Sequence, residues 1–218
     1  MPSQLFDIQT QLTFYGAYHT NRINIIIHCI CVPLLLWYGL VLLAEAARTT
    51  KYLQVVSSNG LQDPGPGFYA DCAPRLLGHL IFDLNYSALH AALYLAYYFA
   101  LEPLAALLYT PQIVLSLLTA TAYSRSASHI AHAGILHALS WVAQFAGHGL
   151  AEKRAPALLD NLIGAVVLAP FFVHLEILFL LGYKPEMHKR LNNEIGKEIT
   201  KIRKAKGDQK RAAAAKEN

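Results

Sequence analysis

Hydrophobic positions in this chain come in long runs separated by short polar breaks. Met1 to Arg22 is polar and aromatic, and predicts a short cap or surface helix. Ile23 to Ala47 is apolar except for Asn24, His28 and a late Glu45. About 20 apolar residues carry a helix across a bilayer core, and this segment is longer than that. Asn21 stands where its N-cap belongs. Arg48 to Arg75 reads as a loop insertion, with Ser57-Ser58-Asn59-Gly60 and Asp63-Pro64-Gly65-Pro66-Gly67 as turn formers. Leu76 to Tyr123 is too long for one crossing. Pro103 predicts a helix that ends near Leu101 and a second that starts near Leu104. Ser128 to Leu150 predicts a further helix, and Asn161 to Leu181 the last apolar one, broken by Pro170 and closed by Gly182. No strand periodicity of useful length and no internal repeat is present. The expected architecture is an all-α, polytopic membrane bundle of four or five transmembrane helices. Residues 1–183 form its membrane-embedded domain, with 48–75 as an insertion, and 184–218 a basic tail.

Composition supports a lipid environment. The chain is 55% hydrophobic and 15% charged, where an average soluble domain is about one quarter charged. The net charge of +4 is unevenly placed: from Lys184 onward 11 Lys and Arg face 5 Asp and Glu. A charge confined to a tail does not predict a nucleic-acid partner. A basic tail after the last apolar segment predicts a cytoplasmic C-terminus and attraction to anionic membrane lipid. Cys29, Cys31 and Cys72 are odd in number, and two lie inside an apolar run, so they predict buried hydrophobes rather than a disulfide framework. No cleavable signal peptide is expected, because no basic stretch leads into a short apolar one at the start.

Ten histidines stand out in so apolar a chain. Ionisable side chains at membrane depth are costly, and they face a bundle interior or a cavity. His137, Trp141, Gln144 and His148 are spaced 4, 3 and 4, which puts them within roughly 40° on one helical stripe. His79, Asp83, Tyr86 and His90 repeat that spacing, and Asn24 with His28 make a further i, i+4 pair. Such seams are expected to face one another, since lipid would leave their polar atoms without partners. The sharp interpretation is a metal site, because neutral imidazole suits iron, copper, zinc and nickel. The plain one is hydrogen bonding between helices. His137 and His148 lie about 16 Å apart along a straight helix, so they do not share an ion unless the helix bends. Gly147 and Gly149 flank His148 and can supply a bend. One histidine from each of several helices makes a more natural site, and His19 can fold back toward the first helix. His129 and His132 read instead as a solvated helix end.

Two segments resemble a known family. The first is Tyr18-His19-Thr20-Asn21-Arg22-Ile23-Asn24-Ile25-Ile26-Ile27-His28. The second runs from Trp141 through Gln144 and Gly147-His148 to Glu152-Lys153-Arg154-Ala155-Pro156-Ala157-Leu158. Together they resemble the fungal 2-hydroxy fatty acid dioxygenases of the endoplasmic reticulum, which act in α-oxidation during phytosphingosine breakdown. The likeness covers nearly the whole chain apart from 48–75 and the end of the tail. It implies a multi-pass endoplasmic reticulum enzyme that uses Fe(II), O2 and a 2-hydroxy long-chain fatty acid. It implies catalytic and metal-binding roles for His19, His28 and His148, and a metal-binding role of lesser weight for His137. Asn24, Gln144 and Glu152 are then supporting or substrate-orienting groups. Cys31 departs from the pattern, which has Gly before Val32-Pro33. His79, Asp83 and His90 match no motif of the family.

This resemblance implies a chemistry. A 2-hydroxy acid carries a carboxylate and a hydroxyl on adjacent carbons, which suits it to an iron with open positions. Two alternatives remain at this stage: a bis-histidine haem protein of electron transfer, and a non-catalytic membrane scaffold held together by its histidines.

Overall fold

The computed structural model describes residues 5–59, 75–76, 80–153 and 164–217, and these are almost entirely helical. Helix α1 (Ile8–Tyr18) is capped by Asp7, whose carboxylate accepts the Gln9 N–H at 3.1 Å. Helix α2 (Arg22–Asn59) starts as the sequence predicts: Asn21 Oδ1 accepts the Ile23 N–H at 2.9 Å. It then runs past Ala47, so Arg48 to Asn59 is helix and not loop. No Gly or Pro lies between Ala47 and Gly60, and Arg48 pairs with Glu45 one turn back while donating to the Ser124 carbonyl. Residues 60–74 of the expected loop lie outside the described residues. Cys31 is half-buried within an unbroken stretch of α2, where no turn requires a glycine.

The faces of α2 are reversed relative to a helix in water. Asn24, His28, Val32, Leu36 and Leu40, four apart, are buried, while Ile23, Ile26, Ile30 and Leu34 are exposed. The two polar groups at the start of the helix turn inward with part of its aliphatic surface, and the outward face is aliphatic, as expected where lipid is the solvent.

A short antiparallel hairpin, β1 (Arg75–Leu76) with β2 (Leu80–Ile81), precedes helix α3 (Tyr86–Leu101). Helix α3 therefore starts ten residues later than Leu76, with Asn85 as N-cap accepting the Ala88 N–H at 3.0 Å. Asp83 lies upstream of the helix and pairs with Arg125 at 3.0 Å, so the expected seam from His79 to His90 does not lie on one helix. His79 falls outside the described residues. His90 is on α3 and packs against Tyr94 with ring centroids 4.0 Å apart. As predicted, α3 ends at Leu101 and helix α4 (Pro103–Tyr123) begins at the proline, in the first turn where no N–H is needed. Helix α5 (Ala127–Ala146) passes directly into a π-helical turn, Gly147–Glu152.

A second π turn (Gly164–Leu168) leads into helix α6 (Ala169–Leu180). Pro170 sits in the first turn of α6 and starts that helix rather than breaking it. Gly182 closes it with φ +88°: its N–H bonds the Phe179 carbonyl at 3.1 Å and that of Tyr183 the Leu178 carbonyl at 2.9 Å. These are the paired bonds of a Schellman cap. Helix α7 (Pro185–Glu217) carries the basic tail and is continuous over 33 residues. It packs on α1. A Cβ on Gly16 would lie 2.2 Å from Ile195 Cδ1, so the glycine allows the close approach.

The chain divides into two compact units, Met1–Ile26 with Gly147–Asn218, and Ile27–Ala146. The first holds α1, the π turns, α6 and α7. The second holds most of α2, the hairpin and α3 to α5, with α3 against α4.

Two described helical segments, Arg22–Lys51 and Pro103–Tyr123, are long and apolar enough to cross a bilayer. Val166–Leu180 with Pro185–Ala212, bent by 119°, makes a third if counted as one span. Four or five spans were expected. Helix α3 has 16 residues, about 24 Å against the roughly 30 Å of a hydrocarbon core. Helix α5 has the length but carries His129, His132 and His137 along it. Apart from α7, the described helices expose many large apolar side chains, with Leu84 and Leu180 each 83% exposed, which fits a membrane protein.

Candidate metal centre

The three residues that join α1 to α2, His19-Thr20-Asn21, are fixed by the π turn that follows α5. Glu152 ends that turn, and its Oε1 accepts the backbone N–H groups of Thr20 and Asn21, each at 2.6 Å. Its Oε2 accepts the Thr20 hydroxyl at 2.9 Å. Asn21 Nδ2 donates to the Ala151 carbonyl at 3.0 Å, and Asn24 Nδ2 to Glu152 Oε1 at 3.4 Å. A carboxylate at a helix N-terminus satisfies N–H groups that have no partner inside the helix, and it meets the positive end of the helix dipole. Glu152 thus ties the start of α2 to the turn that carries His148.

That tie brings two histidines together. The rings of His19 and His148 lie edge to face with centroids 4.8 Å apart and planes at 71°. His148 is buried and sits on the second residue of the π turn. π turns are uncommon and concentrate at functional sites. His28 is one turn beyond Asn24 on the unbroken α2, and both are buried. One nitrogen from each of His19, His28 and His148 lies within 4.8 Å of the other two.

His19 shows how the donor atoms are prepared. Its Nδ1 is 2.8 Å from the Tyr15 carbonyl, which only accepts, so the neutral ring carries its proton on Nδ1 and its lone pair on Nε2. A metal-binding imidazole characteristically makes this bond through its other nitrogen. The Tyr15 ring also stacks on His19 at 3.9 Å. Three nitrogens about 2 Å from one ion are roughly 3 to 3.5 Å apart. Small side-chain rotations close the remaining distance, so the group fits a metal. Both Glu152 oxygens are engaged at α2, which leaves three nitrogens as the donor set among the described residues.

The other predicted residues are placed differently. His137 is not in the three-histidine group: its Nε2 accepts the indole N–H of Trp141 at 3.1 Å. Gln144 is buried and donates to the Ser140 carbonyl at 3.4 Å. Asp83 is in its ion pair with Arg125, and His90 is against Tyr94. Sequence reasoning passed over Tyr15, whose only signal is its place one turn before His19. It also passed over a cavity of about 270 Å3 beside His19, lined in part by Glu176 and His188. Glu176 lay hidden in an apolar stretch and His188 in a charged tail.

Apolar helices long enough to span a bilayer, with a metal-capable imidazole group, fit a class of membrane helix protein built on a histidine site. Within it, this chain belongs to the Mpo1-like family, described as "2-hydroxy-palmitic acid dioxygenase Mpo1-like", which matches residues 5–181. It is 31% identical over 195 residues to the 2-hydroxy-palmitic acid dioxygenase MPO1 of Saccharomyces cerevisiae, covering 89% of this chain and 93% of the yeast protein. No solved structure matches it.

Proposed function

We propose that this protein is an Fe(II)-dependent dioxygenase that converts a 2-hydroxy long-chain fatty acid to the acid one carbon shorter. The observation that carries this is the group of half-buried His19 with buried His28 and His148 in a chain whose relative is named for 2-hydroxy-palmitic acid. Overall, the hydroxy acid and O2 give the shortened acid, carbon dioxide and water, which balances in atoms. His19, His28 and His148 would hold the iron, which would supply the redox chemistry with O2.

The chain's own residues do the rest. The Tyr15 carbonyl holds the proton on His19 Nδ1 and so keeps Nε2 available. Glu152 fixes the His19 segment against the turn of His148. Burial of His28 and His148 limits water at the site, where each polar interaction is then stronger. The apolar helices suit an acyl tail, and they keep a lipid enzyme where its substrate is. The same proposal places the protein in the endoplasmic reticulum membrane, in phytosphingosine breakdown, with the basic tail cytoplasmic.

The haem alternative fits this pair poorly. Two imidazoles on opposite sides of one haem iron have centroids at least about 6 Å apart, and those of His19 and His148 are 4.8 Å apart. Product analysis tests the proposal. Fe(II)-loaded protein given 2-hydroxypalmitate in air should form pentadecanoic acid, and palmitate should be left unchanged. Absence of the shortened acid from folded, iron-loaded protein would overturn the assignment and favour the scaffold.

A further inference from the structure

The cavity beside His19 contains groups that the metal chemistry does not use. It is bounded by α1, the start of α2, α6 and α7, with every lining residue in one unit, and has a volume of about 270 Å3. Sites that bury a whole drug-sized ligand run from about 300 to 1,000 Å3. This one is therefore sized for one end of a long molecule. Its wall is mixed. Phe179 and Ile195 are apolar, while Glu176 from α6 and His188 and Asn192 from α7 bring polar side chains to it. The His188 ring lies flat on Phe179, with centroids 4.7 Å apart and planes at 4°, which restrains the imidazole. The register of α7 at this wall is set by Ile195 against Gly16, three residues before His19.

We propose that this cavity receives the polar head of the substrate, with Glu176 recognising the 2-hydroxyl and His188 and Asn192 the carboxylate. The assignment rests on the dioxygenase proposal above. Its basis is donor and acceptor matching. A 2-hydroxy carboxylate offers one hydroxyl hydrogen and several acceptor lone pairs. The wall offers one carboxylate, which accepts, and an imidazole and an amide, which both donate. A plain fatty acid brings the same carboxylate but has no hydroxyl to give Glu176, so nothing offsets the repulsion between the two carboxylates. A site built to bond a hydroxyl rejects the analogue that lacks it, because its own polar group is left without a partner. Glu176 is thus a specificity-determining residue, and His188 and Asn192 position the carboxylate. The two α7 residues lie beyond the part of the chain that matches the family, residues 5–181.

Binding without turnover tests this. Fe(II)-loaded, detergent-solubilised protein is titrated under argon with 2-hydroxyoctanoate and with octanoate, which are more soluble than the long acids. The wild type should prefer the hydroxy acid by roughly ten- to hundredfold, the size of one hydrogen bond to a charged group. Glu176→Gln keeps the side-chain shape and removes the charge. It should bind octanoate more tightly than the wild type and narrow the preference, a gain that damage to the fold would not produce. Asn192→Leu should weaken both acids alike. Wild-type preference retained in Glu176→Gln, with octanoate binding unchanged, would overturn the role of Glu176 and leave the dioxygenase proposal standing. A wild-type protein that does not distinguish the two acids would overturn both.

Discussion

On the proposed assignment, single residues divide into those that would hold the centre and those outside the three-histidine group. His148→Ala should lose iron and turnover while the protein stays in the membrane, because one of three nitrogens is gone and no membrane-facing residue is changed. His137→Ala should keep its iron, since His137 is bonded to Trp141 and lies outside the group. Metal analysis of the two variants side by side checks both outcomes. Glu152→Ala should lower iron affinity roughly ten- to hundredfold, the usual cost of losing a group that orients ligands, and an anaerobic iron titration measures it. His19, His28 and His148 were legible in the sequence through the family motifs. His137 was expected as a ligand of lesser weight, although helix rise already set it far from His148; it lies outside the three-histidine group. Tyr15 was not, because its backbone carbonyl acts on His19, and a carbonyl leaves no trace in residue type.

At the scale of elements, patterning located helices well where proline or an N-cap marked their ends. Asn21, Leu101, Pro103 and Gly182 all punctuate the chain where expected. It failed where the stop signal was inferred from composition. Arg48 to Asn59 reads as a break because serines and an asparagine cluster at its end, yet nothing within it forbids helix, and α2 continues. The hairpin before α3 was missed because each strand is two residues long, too short for alternation to show. The π turn at Gly147 was foreseen only as a possible bend. Helix α7 gains its order from packing on α1, which a local pattern does not reveal. That contact is testable. Gly16→Leu should force Ile195 away and cost about 1 to 3 kcal/mol, as overpacking does. A lower thermal midpoint in detergent is expected, together with weaker iron binding at the neighbouring His19; an unchanged midpoint would mean that α7 is not held there.

For the whole molecule, a low charged fraction and long apolar runs indicated lipid from the start, and the exposed leucines of the exterior agree. The number of spans was less legible. Apolar length counts a helix as crossing whether it is continuous or bent, and α6 with α7 turns by 119°. The histidines make the same point about function. In an apolar chain they are expensive, and three of them converge on the junction of α1, α2 and the π turn, where a metal can be held. The central claim is that this group holds the iron that consumes oxygen with the hydroxy acid. Oxygen uptake by anaerobically reconstituted protein tests it most directly, with Fe(II), then 2-hydroxypalmitate, and with palmitate and the His148→Ala variant as controls. Uptake should require iron, the hydroxyl and His148 together. Equal uptake by the variant, or by wild type given palmitate, would contradict the claim.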